Sequence, residues 1–146
     1  MAIKTITVLG NDLVVRREGI AASIITPGHL LEGPDSALAE HSVAAGTAVR
    51  KFAVENDIVG NGIDDDYAAA DTVLYGVFPA GTKVYAIAGT GGVTAEDIVE
   101  SDGGTIPGAL RTQAASAATA QSSRNSVVGK ALTTATVGLR FVLEVF

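Results

Sequence analysis

Apolar and polar positions alternate in short runs along this chain, and few runs hold a helical period. The last run is the clearest. In VGLRFVLEVF, residues Leu139, Phe141, Leu143 and Val145 fall on one side and Arg140 and Glu144 on the other. A period of two predicts a strand with one buried face. Residues 4–9 (KTITVL) set Ile6 and Val8 against Thr5 and Thr7, which predicts a strand or an extended arm. Residues 49–55 (VRKFAVE) alternate as well, with Phe52 and Val54 on the side of Arg50. Residues 72–78 (TVLYGVF) are apolar on both sides and predict a central or interface strand. With Pro79-Ala-Gly81 as a tight connection, residues 83–88 (KVYAIA) are expected to be its hairpin partner. Shorter β-branched runs at 13–17, 22–26 and 126–135 read as strands, and residues 36–45 (SALAEHSVAA) as about two helical turns.

The breaks between runs fix the organisation. Seventeen Gly and four Pro punctuate 146 residues, and many short runs between frequent turns predict an all-β fold. The expected layout is an extended N-terminal arm or strand over 1–20 and a single β domain over 21–146. Within the latter, residues 111–126 (RTQAASAATAQSSRNS) form a long polar surface loop, because they hold no large apolar residue to dock them. Apolar residues make up 47% of the chain but aromatics only 5%, so Val, Ile, Leu and Ala must fill the core.

Charge and cysteine content exclude several functions. The net charge is −6, and the ten basic residues are scattered, with Arg16-Arg17 and Arg50-Lys51 the only adjacent pairs. Phosphate neutralisation needs clustered cations, so nucleic acid is not an expected partner. No cysteine is present, which removes disulfides, thiolate zinc sites and a Cys nucleophile. No segment has the roughly 20 apolar residues of a membrane helix, and the first residues hold no apolar run of signal-peptide length. No membrane partner is expected.

One stretch invites a chemical reading. Residues 60–67, GNGIDDDY, resemble the G-x-I-D-x-D-Y motif of dUTP pyrophosphatases, a trimeric nucleotide hydrolase family. That resemblance assigns Asp64, Asp66 and Tyr67 to a deoxyuridine pocket. The family's other motifs do not follow in order. Asp12-Leu13 continues as Val-Val, Ser122-Ser123-Arg124 comes after the Asp-Tyr motif instead of before it, and the last residues alternate as a strand. The competing reading is a polar turn in which Asp side chains accept local backbone N–H groups. The acidic groups Asp64–Asp66 with Asp71, and Glu96, Asp97, Glu100 and Asp102, lack the alternate spacing of a calcium loop. His29 and His41 have no ligand partner at i+2 or i+4 and are expected as surface or turn residues. GTGG at 89–92 lacks the following Gly-Lys-Ser/Thr of a phosphate loop, and no Gly-x-Ser-x-Gly elbow occurs. The expectation is therefore no catalytic residue, no metal and no cofactor. A host-glycan-binding surface module is a third reading, but no Trp and only three Tyr are available for an aromatic platform.

The order of several pieces carries a second resemblance. SIITPGHLLE at 23–32 is followed by VRKFAVEN at 49–56, DDDY at 64–67, VYAIA at 84–88, EDIVESDGGT at 96–105, VGKAL at 128–132 and LRFVLEV at 139–145. This series is similar to the head decoration, or cement, proteins of tailed bacteriophages. The resemblance implies a small β-barrel or β-tulip domain that assembles as a homotrimer. It implies a place on the outer surface of the expanded capsid, where the trimer bridges subunits of the major capsid protein. It also implies an N-terminal arm that pairs with a capsid loop, a mode in which main-chain bonds supply affinity. On this reading Lys4, Thr5, Ile6, Thr7, Val8, Arg16 and Arg17 contact the capsid, and Leu74, Tyr75 and Phe78 form the trimer interface.

Overall fold

The computed structural model describes residues 2–114 and 125–146. Its described residues form an all-β domain of three antiparallel sheets. The strands are β1 (Thr7–Leu9), β2 (Val15–Ile20), β3 (Leu31–Glu32), β4 (Ala39–Glu40), β5 (Lys51–Ala53) and β6 (Thr72–Val77). They continue with β7 (Lys83–Ile87), β8 (Ile98–Ser101), β9 (Leu110–Thr112), β10 (Val127–Ala131) and β11 (Arg140–Val145). Two short 3-10 turns, Asn11–Leu13 and Asp57–Val59, interrupt them. The large sheet has the order β1-β7-β11-β10-β8-β9, the second β2-β6-β5, and the third is the hairpin β3-β4.

Strands β5 and β6 of the second sheet lie between two cores. On one face, Phe52, Val54 and Phe78 pack against Val84, Val99, Phe141, Leu143 and other inward residues of the large sheet. Phe52 and Phe78 meet edge to face, with centroids 5.6 Å apart and planes at 86°. On the other face, Val73 and Tyr75 pack with Ile25, Leu31, Leu38 and Tyr67. This explains why residues 72–78 are apolar on both sides: β6 sits centrally, with a core above and below it. β11 is central in the large sheet, and Phe141, Leu143 and Val145 are buried as the alternation predicts. Leu139 is 60% exposed, because the turn over 136–139 ends the face before β11 begins.

Several sequence expectations change here. β7 does not pair with β6. It lies between β1 and β11, and the 79–82 turn carries the chain from one sheet to the other. Gly81 N–H donates to Val145 O at 2.8 Å and anchors that crossing to β11. Residues 36–45 form no helix. They supply β4, whose partner β3 takes up the hydrogen-bonding groups a helix would have used. Within the stretch expected as an extended arm or strand, two strands pair inside the chain: β1 lies on β7, β2 on β6, and Ile6 is fully buried in the first core. Arg111 and Thr112 belong to β9 and not to a loop, while residues 115–124 of the expected polar loop lie outside the described residues. In β10, Gly129 packs so closely on β11 that a Cβ there would sit 2.1 Å from Glu144 O. Only glycine allows the two central strands to approach that far.

Candidate functional site

The acidic stretch 60–67 is pinned from below by Arg140 of β11. The guanidinium donates to Ile63 O at 2.5 Å and to Pro27 O at 2.7 Å, and lies 3.5 Å from Asp64. Asp65 accepts the Gly62 N–H at 2.7 Å, and Asp71 the Ala68 N–H at 2.9 Å, as turn carboxylates do. Tyr67 is only 5% exposed, and its hydroxyl donates to Val54 O at 2.7 Å. Burial pushes its phenol up to about 12. The Tyr67 ring thus belongs to the second core and has no open face on which a nucleobase could stack. Asp64 and Asp66 remain exposed at the surface of the turn.

Both histidines are buried, contrary to the surface reading. His29 Nδ1 lies 2.5 Å from Glu40 Oε1, which also accepts the Thr26 N–H at 3.1 Å. His41 Nδ1 lies 2.7 Å from Ser101 Oγ, and its Nε2 lies 4.0 Å from Glu32. The two rings bracket the base of the β3-β4 hairpin, where Gly108 N–H donates to His41 O at 2.9 Å and Leu30 N–H to Gly108 O at 2.8 Å. Ser101, His41 and Glu32 are the residue types of a hydrolytic triad. Ser101 is fully buried, however, so no substrate can reach its hydroxyl and the row is structural.

A third polar group is buried between β8 and β9. Arg111 donates from Nε and a terminal nitrogen to Glu100 Oε1 at 3.2 Å, and its other terminal nitrogen is 3.8 Å from Asp102. Asp102 also accepts the N–H and hydroxyl of Thr90, each at 2.9 Å. In sequence, Glu100 and Asp102 stand only as members of an acidic group without calcium-loop spacing. Arg111, which the β9 pairing brings alongside, offsets the charge of both buried carboxylates. No group of three or more described His, Asp or Glu residues is placed to hold a metal ion, and no described helix is long and apolar enough to cross a membrane.

The expected contact residues divide sharply. Lys4, Thr5, Arg16 and Arg17 are exposed, Thr7 and Val8 are half-buried, and Ile6 is in the first core. Tyr75 and Phe78 are 1% and 2% exposed, so their side chains are occupied inside the chain and are not available to a partner copy. The Tyr75 hydroxyl donates to Asp35, and Lys51 lies over its ring at 5.6 Å. Leu74 alone of those three keeps part of its surface. It floors a groove of about 290 Å³, walled by Ile58 and Asp57 and rimmed by Arg16 and Glu18 of β2. Ile58 is 82% exposed. Sequence reading passed it over, although an apolar pair inside the polar stretch NDIVGN was the available signal.

The surface features are therefore an apolar groove beside β2 and an acidic turn, with no accessible catalytic constellation among the described residues. No family model matches the chain, and no curated protein matches it. Among solved structures, the fold is similar to the crystal structure of the head fiber gp8.5 N base of bacteriophage phi29. The TM-score is 0.60 at 17% identity, over 92% of this chain and 95% of that one.

Proposed function

We propose that this chain is a structural protein of a tailed-phage head, without enzymatic activity. It binds the outer surface of the expanded capsid and bridges major capsid protein subunits. The observation that carries this reading is the fold likeness to a phage head fiber base over nearly the whole chain, at a TM-score of 0.60. The order of sequence pieces similar to head decoration proteins points the same way, by an independent route. The site chemistry agrees. The triad-like row is sealed, Tyr67 is locked in the core, and the exposed features suit contact with protein. Many modest contacts repeated over a shell oppose outward strain through avidity.

Within this proposal the capsid contact uses the reachable residues Lys4 and Thr5, whereas Ile6 supports the fold. The homotrimer is a state reached on the shell, with Leu74 the one expected interface residue still able to serve it. Co-sedimentation with expanded and unexpanded heads tests the reading. Saturable binding to expanded heads only is the expected result. No binding to either form overturns it, and a magnesium-dependent dUTP hydrolysis assay then tests the hydrolase reading. Asp64→Asn with Asp66→Asn is expected to leave head binding unchanged, because both carboxylates serve a surface turn.

A further inference from the structure

Asn61-Gly62 lies at the open end of the acidic turn, and both residues are exposed. Gly60, just before them, has a φ of 84°, and a Cβ there would meet nothing within 4 Å. A Cβ on Gly62 would meet only Asp65 Oδ2, at 3.7 Å. Gly62 also opens on a surface depression of about 400 Å³, shared with Ala2, Ile3, Lys4 and Asp65, so solvent reaches its peptide nitrogen. The Asn61 carboxamide makes no hydrogen bond to a described residue and is free to turn towards that nitrogen. The Gly62 N–H donates to Asp65 Oδ2 at 2.7 Å. The other three asparagines are placed differently. Asn11 Oδ1 accepts a bond from Arg16 at 2.7 Å, the Asn56 carboxamide oxygen is buried, and Asn125 precedes the buried Ser126. Each of the three is followed by a residue with a side chain, Asp12, Asp57 or Ser126.

We propose that Asn61-Gly62 is a self-modifying site, at which the folded chain slowly converts its own asparagine into aspartate and isoaspartate. Asparagine is a chemically labile residue. The Gly62 nitrogen attacks Asn61 Cγ. A C–N bond forms, the Cγ–Nδ2 bond breaks, and ammonia departs from a five-membered imide. The proton that the nitrogen gives up passes to Asp65, the carboxylate it already faces, and from there to the departing amine. Water then opens the ring at one carbonyl or the other, giving aspartate or isoaspartate. Water is the one co-reactant consumed. Closing the ring needs an uncrowded attacking nitrogen, and glycine, with no Cβ, crowds it least. Each conversion adds a negative charge to a stretch that already holds Asp57, Asp64, Asp65 and Asp66. Isoaspartate also lengthens the main chain by one atom between two bonds that close the turn. These are Asn61 N–H to Asn56 O at 3.0 Å and Gly62 N–H to Asp65. Arg140 pins the chain beyond them at Ile63 O, so the change is held to the residues before Ile63.

The conversion needs no head and is tested on the free protein, held for several weeks at physiological temperature and pH. Peptide mass mapping is expected to find a gain of about 1 Da in the peptide that carries Asn61, divided between aspartate and isoaspartate. Asn11, Asn56 and Asn125 should stay intact over the same period. Gly62→Ala crowds the nitrogen, and Asp65→Ser keeps a hydrogen-bond acceptor in the turn but removes the base. Each should slow the conversion by about tenfold or more. Circular dichroism melts confirm that both variants are folded. An Asn61 that stays intact in the folded protein overturns the proposal. Aspartate as the sole product does so too, since that is direct hydrolysis without an imide. Conversion of the other asparagines at the same rate, or a Gly62→Ala rate equal to that of the wild type, overturns it equally. An Asp65→Ser rate equal to that of the wild type overturns the part assigned to Asp65.

Discussion

β11 and β2 are both six-residue antiparallel strands, yet they stand at opposite limits of burial. β11 has β7 on one side and β10 on the other, and its Phe141, Leu143 and Val145 face the main core. β2 has β6 on one side only, and of its six residues only Gly19 is buried. RFVLEV alternates because one of its faces never meets water. VRREGI carries three charges because most of its side chains do meet water. A strand's sequence therefore reports how many neighbours it has as much as its backbone conformation. The central strand is paired on both sides, and the edge strand on one side only.

The largest effect should come from the central strand. Phe141→Ala empties a fully buried ring position and is expected to cost about 3–5 kcal/mol in chemical denaturation. A loss near that of a surface substitution would show that the large sheet does not carry the core. Next in size is the N-terminal stretch, which mixes both kinds of position. Ile6→Ala should cost about 2–5 kcal/mol, while Lys4→Ala and Thr5→Ala should stay within about 0.5 kcal/mol. If the two exposed changes also lower head binding, the contact is separated from the fold. Deleting the whole stretch would not achieve that, because it removes Ile6.

A smaller effect is expected at Tyr67. Tyr67→Phe leaves Val54 O without its partner and should cost about 1 kcal/mol. The tyrosine also shapes the alkaline limit. Its phenol is raised to about 12, so the unfolded chain loses that proton first, near its ordinary value of 10.0. Stability is therefore full below pH 10.0 and falls as pH rises towards about 12. Part of that fall should be absent from Tyr67→Phe in melts recorded across this range. The smallest effect belongs to β2. Arg17→Ala breaks an exposed pair with Asp35 and should cost less than about 1 kcal/mol, less still in high salt. A large loss there would mean that the edge strand supports the fold as the central strand does.

Legibility followed the same division. The faces of β11 and the two-sided character of β6 could be read from periodicity, because each repeats over adjacent residues. The acidic turn was legible too, as its Asp65 and Asp71 bonds span three residues each. The partners of β7, the burial of His41 beside Ser101 and the shelter of Glu100 and Asp102 under Arg111 were not. His41 and Ser101 are sixty residues apart in sequence, and no local pattern marks which distant residue will meet a given one. Tyr75 and Phe78 were expected at an interface for a related reason. An apolar face shows that it needs cover, but not whether the cover is the same chain or another.

By itself, the sequence determined the all-β class, the strand positions with two-residue periodicity and the absence of thiol chemistry. Side-chain alternation, turn residues and composition are local properties, and local properties suffice for those conclusions. Only the tertiary structure decided that the N-terminal stretch is held within the sheets, that β7 crosses to another sheet, and that β2 lies at the end of its sheet. Each of these depends on which strands become neighbours. That choice is made by burying both faces of β6 at once, and it is set by the packing of residues far apart along the chain.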